Sequence, residues 1–235
     1  MSQLFINAIS RYIDVDESNI HTILDIGSRD ALSSIDFAKI FPKAQIYAFE
    51  ANPEAIPACL VNSQNYPNIT CVFGALYNQD TIITFHPMDM EKSPHKSIGS
   101  SSIFEVDHTA PLPEEWQWVQ KEVQVGASKL DTWRKDEGLG PIDLIWMDAQ
   151  GSEGLILEGA KETLGDVKAV ITEAGMIPYY KGQSLLPEIN EFMVNHGFCL
   201  IEVWPEMSLE CTVIYVNKRF LRKPLPSHAI PTFSS

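Results

Sequence analysis

Lysine and arginine are scarce in this chain: 17 stand against 31 aspartates and glutamates over 235 residues, a formal net charge of −14. Nucleic acid is gripped by neutralising its phosphates with cationic side chains, so this balance argues against a nucleic-acid partner. Anionic membrane surfaces are disfavoured on the same ground. Cysteine is also rare. Cys59, Cys71, Cys199 and Cys211 lie far apart in sequence, with no C-x-x-C pair and no histidine at ligand spacing. That argues against a metal site and reads as reduced thiols of a cytoplasmic protein. No apolar run approaches the ~20 residues that cross a bilayer. The first twelve residues lack the charged start, apolar run and small-residue cleavage site of a secretory leader. The expected partner is a small-molecule substrate, with no membrane; homo-oligomerisation stays open.

What is present is an alternation of short apolar runs and helical patterns. Leu4, Phe5, Ala8, Ile9, Tyr12 and Ile13 have helical spacing. Thr22–Gly27 reads as a buried strand, Ala31–Phe41 as a helix stopped by Pro42, and Gln45–Glu50 as a second strand. Asn52-Pro53 has the form of a helix cap with proline at the first helical position. Ile69–Leu76 reads as a third strand and Ile142–Asp148 as a fourth, followed by a helix over Gly154–Leu164 and a fifth strand over Val167–Glu173. A helix around Leu185–Met193 closes at Gly197, and Phe198–Trp204 with Glu210–Val216 form an antiparallel hairpin. This order predicts one α/β domain over residues 1–235. Its fold is a doubly wound, mostly parallel seven-stranded sheet with helices on both faces. An insert at about 78–133 carries a strand pair, Thr81–His86 and Glu122–Gly126, around a polar middle. A flexible end is expected over 218–235.

In doubly wound sheets ligands lie beyond the carboxyl ends of the strands, where the strand order reverses. The first strand ends in Asp25-Ile26-Gly27-Ser28-Arg29-Asp30, and the next glycine is Gly74. A dinucleotide fingerprint would need G-x-G-x-x-G so that backbone amides meet a diphosphate, and acids there are electrostatically wrong. They suit S-adenosylmethionine, which has no phosphate and carries a sulphonium and an ammonium. Asp25 and Asp30 could face the amino group of such a ligand, or order a plain strand–helix turn. Glu50, 23 positions after Gly27, has the placing of a carboxylate that accepts hydrogen bonds from ribose hydroxyls; the alternative is a solvated acid. Asn52 faces the same crevice or caps a helix. Ala75 follows Gly74 at the third strand's end and offers apolar surface to an adenine. Asp148 closes the fourth strand and is a candidate general base. Glu173 at the end of the fifth is a candidate second acid. The pair could also hold a divalent ion, but no third ligand announces itself. Glu153 reads as a first-turn helix acid. Ser100, Ser101 and Ser102 follow Gly99 in the insert as candidate donors, and His86, His95 and His108 surround them as alternative bases. Trp116, Trp118 and Trp133 are candidates for an apolar wall or for core.

Five stretches together resemble the FkbM-type methyltransferase family: Ile23–Ser28, Tyr47–Pro53, Gly99–Ser102, Lys129–Trp133 and Asp143–Gly154. The resemblance runs from about Ile23 to Val216. It implies the Rossmann-like class I methyltransferase fold, S-adenosylmethionine as methyl donor, and O-methylation of a small metabolite or sugar. With this donor, the residues expected at the cofactor are Asp25, Gly27, Ser28, Arg29, Asp30, Glu50, Asn52, Ala75, Ser101 and Asp148, and those expected at the chemistry are Asp148 and Glu173. Two positions depart from the family pattern. Arg29 and Asp30 stand where Asn and a second glycine are usual, and Gln150 replaces the acid of Asp-x-Glu-Gly. Rival readings are a nicotinamide-dependent reductase, which lacks its glycines and a Tyr-x-x-x-Lys pair here, and a non-catalytic nucleoside-binding protein.

Overall fold

In a computed structural model, which describes residues 2–94, 96–110, 118–205 and 209–224, the seven-stranded sheet is present. Its strands are β1 (Thr22–Ile26), β2 (Gln45–Glu50), β3 (Ile69–Phe73), β7 (Leu144–Met147), β8 (Ala169–Gly175), β9 (Phe198–Trp204) and β10 (Glu210–Asn217), in the order β3-β2-β1-β7-β8-β10-β9. The first five run parallel, and β10 lies antiparallel between β8 and β9. The order reverses between β1 and β7, which places the ligand crevice there.

Side-chain alternation along each strand sorts the core into two faces. Ile23, Leu144, Ile171 and Ile214 pack on one side with α1 (Ser2–Ile9) and α2 (Leu32–Ile40). Leu24, Ile145, Val170 and Val213 pack on the other with α4 (Leu130–Asp136), α5 (Glu153–Glu158) and α6 (Leu186–Asn195). Helix α3 (Ile56–Ser63) seats Cys59 against Ala31 and Ala48 on the first face. At the opposite end of the sheet, Asp143 accepts the backbone N–H groups of His21 and Thr22 and pairs with Lys168 at 2.8 Å.

Several segments differ from the sequence reading, among them the helix expected over Gly154–Leu164, which ends at Glu158 ahead of a separate 3-10 turn at Thr163–Gly165. The run Ile69–Leu76 is not one strand. Gly74, at φ +136°, turns the chain out of the main sheet. Ala75–Leu76 then becomes β4, which pairs parallel with β6 (Val123–Ser128) in a second sheet ordered β4-β6-β5, with β5 at Thr81–Phe85. Helix α3 starts at Ile56 and not at Pro53. Asn52 Oδ1 accepts the N–H of Glu54 at 3.0 Å, so Asn52 caps a separate turn ahead of the helix. Within the end expected to be flexible, the described residues up to 224 are tied to the N-terminal segment. Arg222 donates to the carbonyls of Ser10 and Ile13, both at 2.6 Å, and pairs with Asp14. Residues 225–235 lie outside the described residues.

Candidate active site

The carboxyl ends of β1, β2 and β7 open into a cleft roofed by the insert. Gly27, Ser28, Arg29, Asp30, Glu50, Ala75, Ser101 and Asp148 all line it. Asp25, Asn52 and Glu173 do not: Asn52 and Glu173 each bond a residue that does, and Asp25 bonds Ser34 of α2.

The loop after β1 is shaped by backbone geometry. Gly27, Arg29 and Ala31 have φ of +81°, +54° and +60°. The left-handed region suits glycine and costs an alanine or arginine roughly 1–2 kcal/mol. That strain is held by local bonds: the N–H groups of Gly27 and Ser28 both donate to the Phe49 carbonyl, at 3.1 and 2.8 Å. Glu50 completes the arrangement. Its two carboxylate oxygens accept the N–H of Arg29 at 2.7 Å and of Asn52 at 2.6 Å, locking the β1 loop to the β2 loop. Burial pushes the Glu50 pKa up, and the N–H groups of Asn52, Arg29 and Ala51 oppose the rise. Each carboxylate oxygen keeps a lone pair for a further donor.

Asp25 sits behind this loop, fully buried. One oxygen accepts Ser34 Oγ at 2.5 Å; the other has no hydrogen-bond partner among the described residues. Burial raises its pKa to about 7. Asn52 is also under the cleft floor, donating through its amide to Ser101 Oγ at 3.1 Å. Ser101 was expected to offer a hydroxyl donor to the ligand. Its proton goes instead to the Ile98 carbonyl at 2.8 Å, while its oxygen also accepts the N–H of Met88. Ser101 therefore pins the insert to the β2 loop.

Asp148 faces the cleft at the end of β7 and is the centre of a polar network. Gln150, strained at φ +50°, donates its amide to Asp148 Oδ1 at 2.8 Å. The Tyr180 hydroxyl lies 3.0 Å from both Gln150 Oε1 and the Ser100 carbonyl, and Ser102 Oγ donates to the Gln150 carbonyl at 2.7 Å. On its other side Asp148 is hydrogen-bonded to Glu173, which in turn meets Glu210 across the β8–β10 pair. Three carboxyl groups in contact cannot all ionise. Burial, then Asp148, then Glu210 drive the Glu173 pKa far up, so Glu173 is the protonated member and its O–H favours the anionic form of Asp148. Burial raises Asp148 as well, against the Gln150 and Glu173 hydrogen bonds and the Arg29 charge. Glu173 itself lines a separate, smaller cleft with Glu210, Gln183 and Tyr179. Among the described residues no group of three or more His, Cys, Asp or Glu side chains is arranged to hold a metal ion.

Glu153 is more than a helix-end charge. It is buried, accepts the Ala149 N–H at 2.8 Å, and has a pKa raised by burial to about 8. Neither His86 nor His108 lines the cleft: His86 is buried against Ser102 and His108 is exposed. His95 and Trp116 lie outside the described residues. Trp133 packs edge-on to Tyr47 and Phe49, and Trp118 stacks on Tyr180. The apolar wall comes from Phe85, Ile103 and Trp146, which the sequence reading passed over. Tyr180 and Gln150 were also missed as a unit, because their pairing depends on the insert folding back.

A family model described as the methyltransferase FkbM domain matches residues 25–200. The chain belongs to the FkbM methyltransferase family. It is an S-adenosylmethionine-dependent methyltransferase, and this decides against the nicotinamide-dependent reductase. The 2-O-methyltransferase NoeI of Sinorhizobium fredii is 33% identical over 185 residues, 78% of this chain and 74% of that protein. Among solved structures, Aeropyrum pernix fibrillarin with bound S-adenosyl-L-methionine aligns over 91% of this chain and 74% of its own, with a TM-score of 0.51 and 12% identity. A Methanococcus jannaschii fibrillarin, a pre-rRNA processing protein, aligns over 88% and 70% with a TM-score of 0.50 and 12% identity. At that identity the likeness is one of fold: a class I methyltransferase sheet.

The cleft fits the donor. Its polar lining is rich in acid, with Glu50, Asp30 and Asp148, and offers a single guanidinium, Arg29. That set matches a cationic sulphur and a ribose diol, with one cation for an α-carboxylate. A diphosphate would meet three carboxylates.

Proposed function

We propose that this enzyme methylates a hydroxyl oxygen of a small metabolite or sugar-containing acceptor in the cytoplasm, with Asp148 as general base. The observation that carries the reading is Asp148 itself. It is a carboxylate lining the cleft at the strand end beside the order reversal, oriented by the Gln150 amide and hydrogen-bonded to Glu173, whose pKa burial pushes up. The 2-O-methyltransferase name of the NoeI relative supports oxygen as the target. The net charge of −14 supports a small acceptor over nucleic acid. No helix among the described residues is long and apolar enough to cross a membrane.

S-adenosylmethionine, when bound, supplies a methyl group on a positively charged sulphur that leaves as a neutral thioether. Glu50 is assigned to the ribose hydroxyls, since its oxygens already fix the two loops between which a ribose would lie. Arg29 and Asp30 are assigned to the methionine end, Gly27 and Ser28 to its close backbone approach, and Ala75 with Phe85 to the adenine. Asp25 and Asn52 act through the loops they brace. Asp148 takes the proton of the attacking hydroxyl, and its raised pKa brings it nearer the working pH of a base. Glu173 keeps Asp148 anionic until that step.

The test is methyl transfer from radiolabelled S-adenosylmethionine to a panel of hexosides and deoxyhexosides. Asp148→Asn is expected to lose roughly 10²–10⁴ in rate while still binding S-adenosylhomocysteine. Full turnover by that variant would remove Asp148 from the chemistry. Binding without turnover by the native protein on every acceptor would favour the non-catalytic nucleoside-binding alternative.

A further inference from the structure

The four cysteines are distant in sequence, yet the fold brings two of them together. Cys59 Sγ on α3 lies 3.1 Å from Cys71 Sγ on β3, both as free thiols. The pair is also joined to the cofactor loop, because Cys59 Sγ lies 3.6 Å from Ser28 Oγ, and Ser28 lines the active-site cleft. The two thiols differ in access. Cys59 is fully buried, and burial together with the hydrogen bond to Cys71 pushes its thiol up to about 12. Cys71 is half-buried and sits on the outermost strand of the sheet. Cys199 and Cys211, on β9 and β10, lie at the other edge.

We propose that Cys59 and Cys71 form an oxidation site that closes to a disulfide with a low-molecular-weight disulfide oxidant and weakens cofactor binding by moving Cys59 off Ser28. The sulphurs need to approach by only about 1 Å to reach the bond length of ~2.05 Å. The more accessible Cys71 reacts first. Its thiolate attacks the oxidant's disulfide, forming a mixed disulfide and releasing one small thiolate. Cys59 then loses its proton and attacks the Cys71 sulphur, releasing the second small thiol. Two electrons pass from the protein thiols to the oxidant, which leaves as two thiols. The high barrier to ionising Cys59 makes the second step the slow one. Drawing Cys59 toward β3 withdraws the thiol that braces Ser28, and the loop between Gly27 and Arg29 loses a support. The coupling to the cofactor rests on the assignment of that loop made above; closure of the disulfide does not.

The probe is oxidised glutathione on the full chain, followed by mass spectrometry and calorimetry with S-adenosylhomocysteine. The expected product is 2 Da lighter, with a cross-linked peptide pair containing residues 59 and 71, and is restored by dithiothreitol. Its affinity for S-adenosylhomocysteine is expected to fall about three- to tenfold, the worth of one displaced hydrogen bond. Cys71→Ser is expected to bind like the reduced protein before and after treatment; should it fold poorly, dithiothreitol reversal of the native protein serves as the control. Absence of the 59–71 cross-link, or a cross-linked protein that binds as tightly as the reduced one, overturns the proposal. Reduced protein that does not bind at all overturns the cleft assignment instead.

Discussion

Gly27→Ala perturbs the point where the two central strands meet the cleft, and its cost can be worked from the geometry. A Cβ on Gly27 would lie 1.9 Å from the Asp148 carbonyl oxygen and 2.8 Å from its carbon, at φ +81°. Asp148 has little room to retreat, because its N–H donates to the Ile26 carbonyl at 2.9 Å and its carboxylate is held by Gln150. The positive φ costs roughly 1–2 kcal/mol and the forced separation of packed backbone about 1–3 kcal/mol. The expected loss is therefore ~2–5 kcal/mol, a large part of the ~5–15 kcal/mol that holds a domain folded. For a chain of this size that lowers Tm by about 4–20 °C. The displacement falls on Glu50's partner loop, so S-adenosylhomocysteine affinity should fall by at least about tenfold, following a shift of ~1 Å at the site. Gly159→Ala separates the two effects: its Cβ would lie 2.1 Å from the Tyr77 carbonyl oxygen, away from the cleft. It should lower Tm and leave the affinity of the folded protein intact. Thermal denaturation with calorimetric titration of both variants decides the matter. A Gly27→Ala protein that melts with the native one and binds equally well would refute the close approach.

Three further outcomes follow from the network. Glu50→Gln places an amide NH₂ against the N–H of Arg29 or Asn52, so it should cost about 1–3 kcal/mol of stability and weaken S-adenosylhomocysteine binding, read by urea denaturation and calorimetry; unchanged affinity would remove Glu50 from the ribose. Glu173 has a folded pKa raised above its usual 4.5, so its contribution is present at low pH and is lost as pH rises through the folded value. Glu173→Gln, which mimics the protonated acid, should therefore flatten the decline of urea midpoints from about pH 5 upward; parallel declines in both proteins would show Glu173 ionised in the fold. Tyr180→Phe removes the hydroxyl between Ser100 and Gln150 and should cost about 1–2 kcal/mol in the same denaturation assay, with no loss if that hydroxyl is solvated instead.

The sheet was legible because burial writes itself into strands. β1, β7 and β8 are near-continuous apolar runs, and the short gap between β9 and β10 marks the hairpin. Glu50 was legible too, since its distance from Gly27 follows from one strand–helix–strand unit. What failed to show depends on single backbone torsions or on distant contacts. Gly74 breaks a run that is apolar on both sides of it, and β4 has only two residues. Asn52 looks like a helix cap because it caps a turn just ahead of the helix. Ser101 sits on the cleft as expected, but only the Ile98 carbonyl shows where its proton goes. Gln150 reads as a departure from the family pattern, whereas the fold gives it a partner on each side. The Cys59–Cys71 contact joins residues on two elements whose packing no local pattern reports.

The central claim is that an acid-lined strand edge receives a cationic, phosphate-free nucleoside. Its most direct test is calorimetric titration of the reduced protein with S-adenosylhomocysteine and, separately, with NADH. One saturable site for S-adenosylhomocysteine that Glu50→Ala weakens is expected, with no heat from the dinucleotide. Saturable binding of NADH with none of S-adenosylhomocysteine would contradict it.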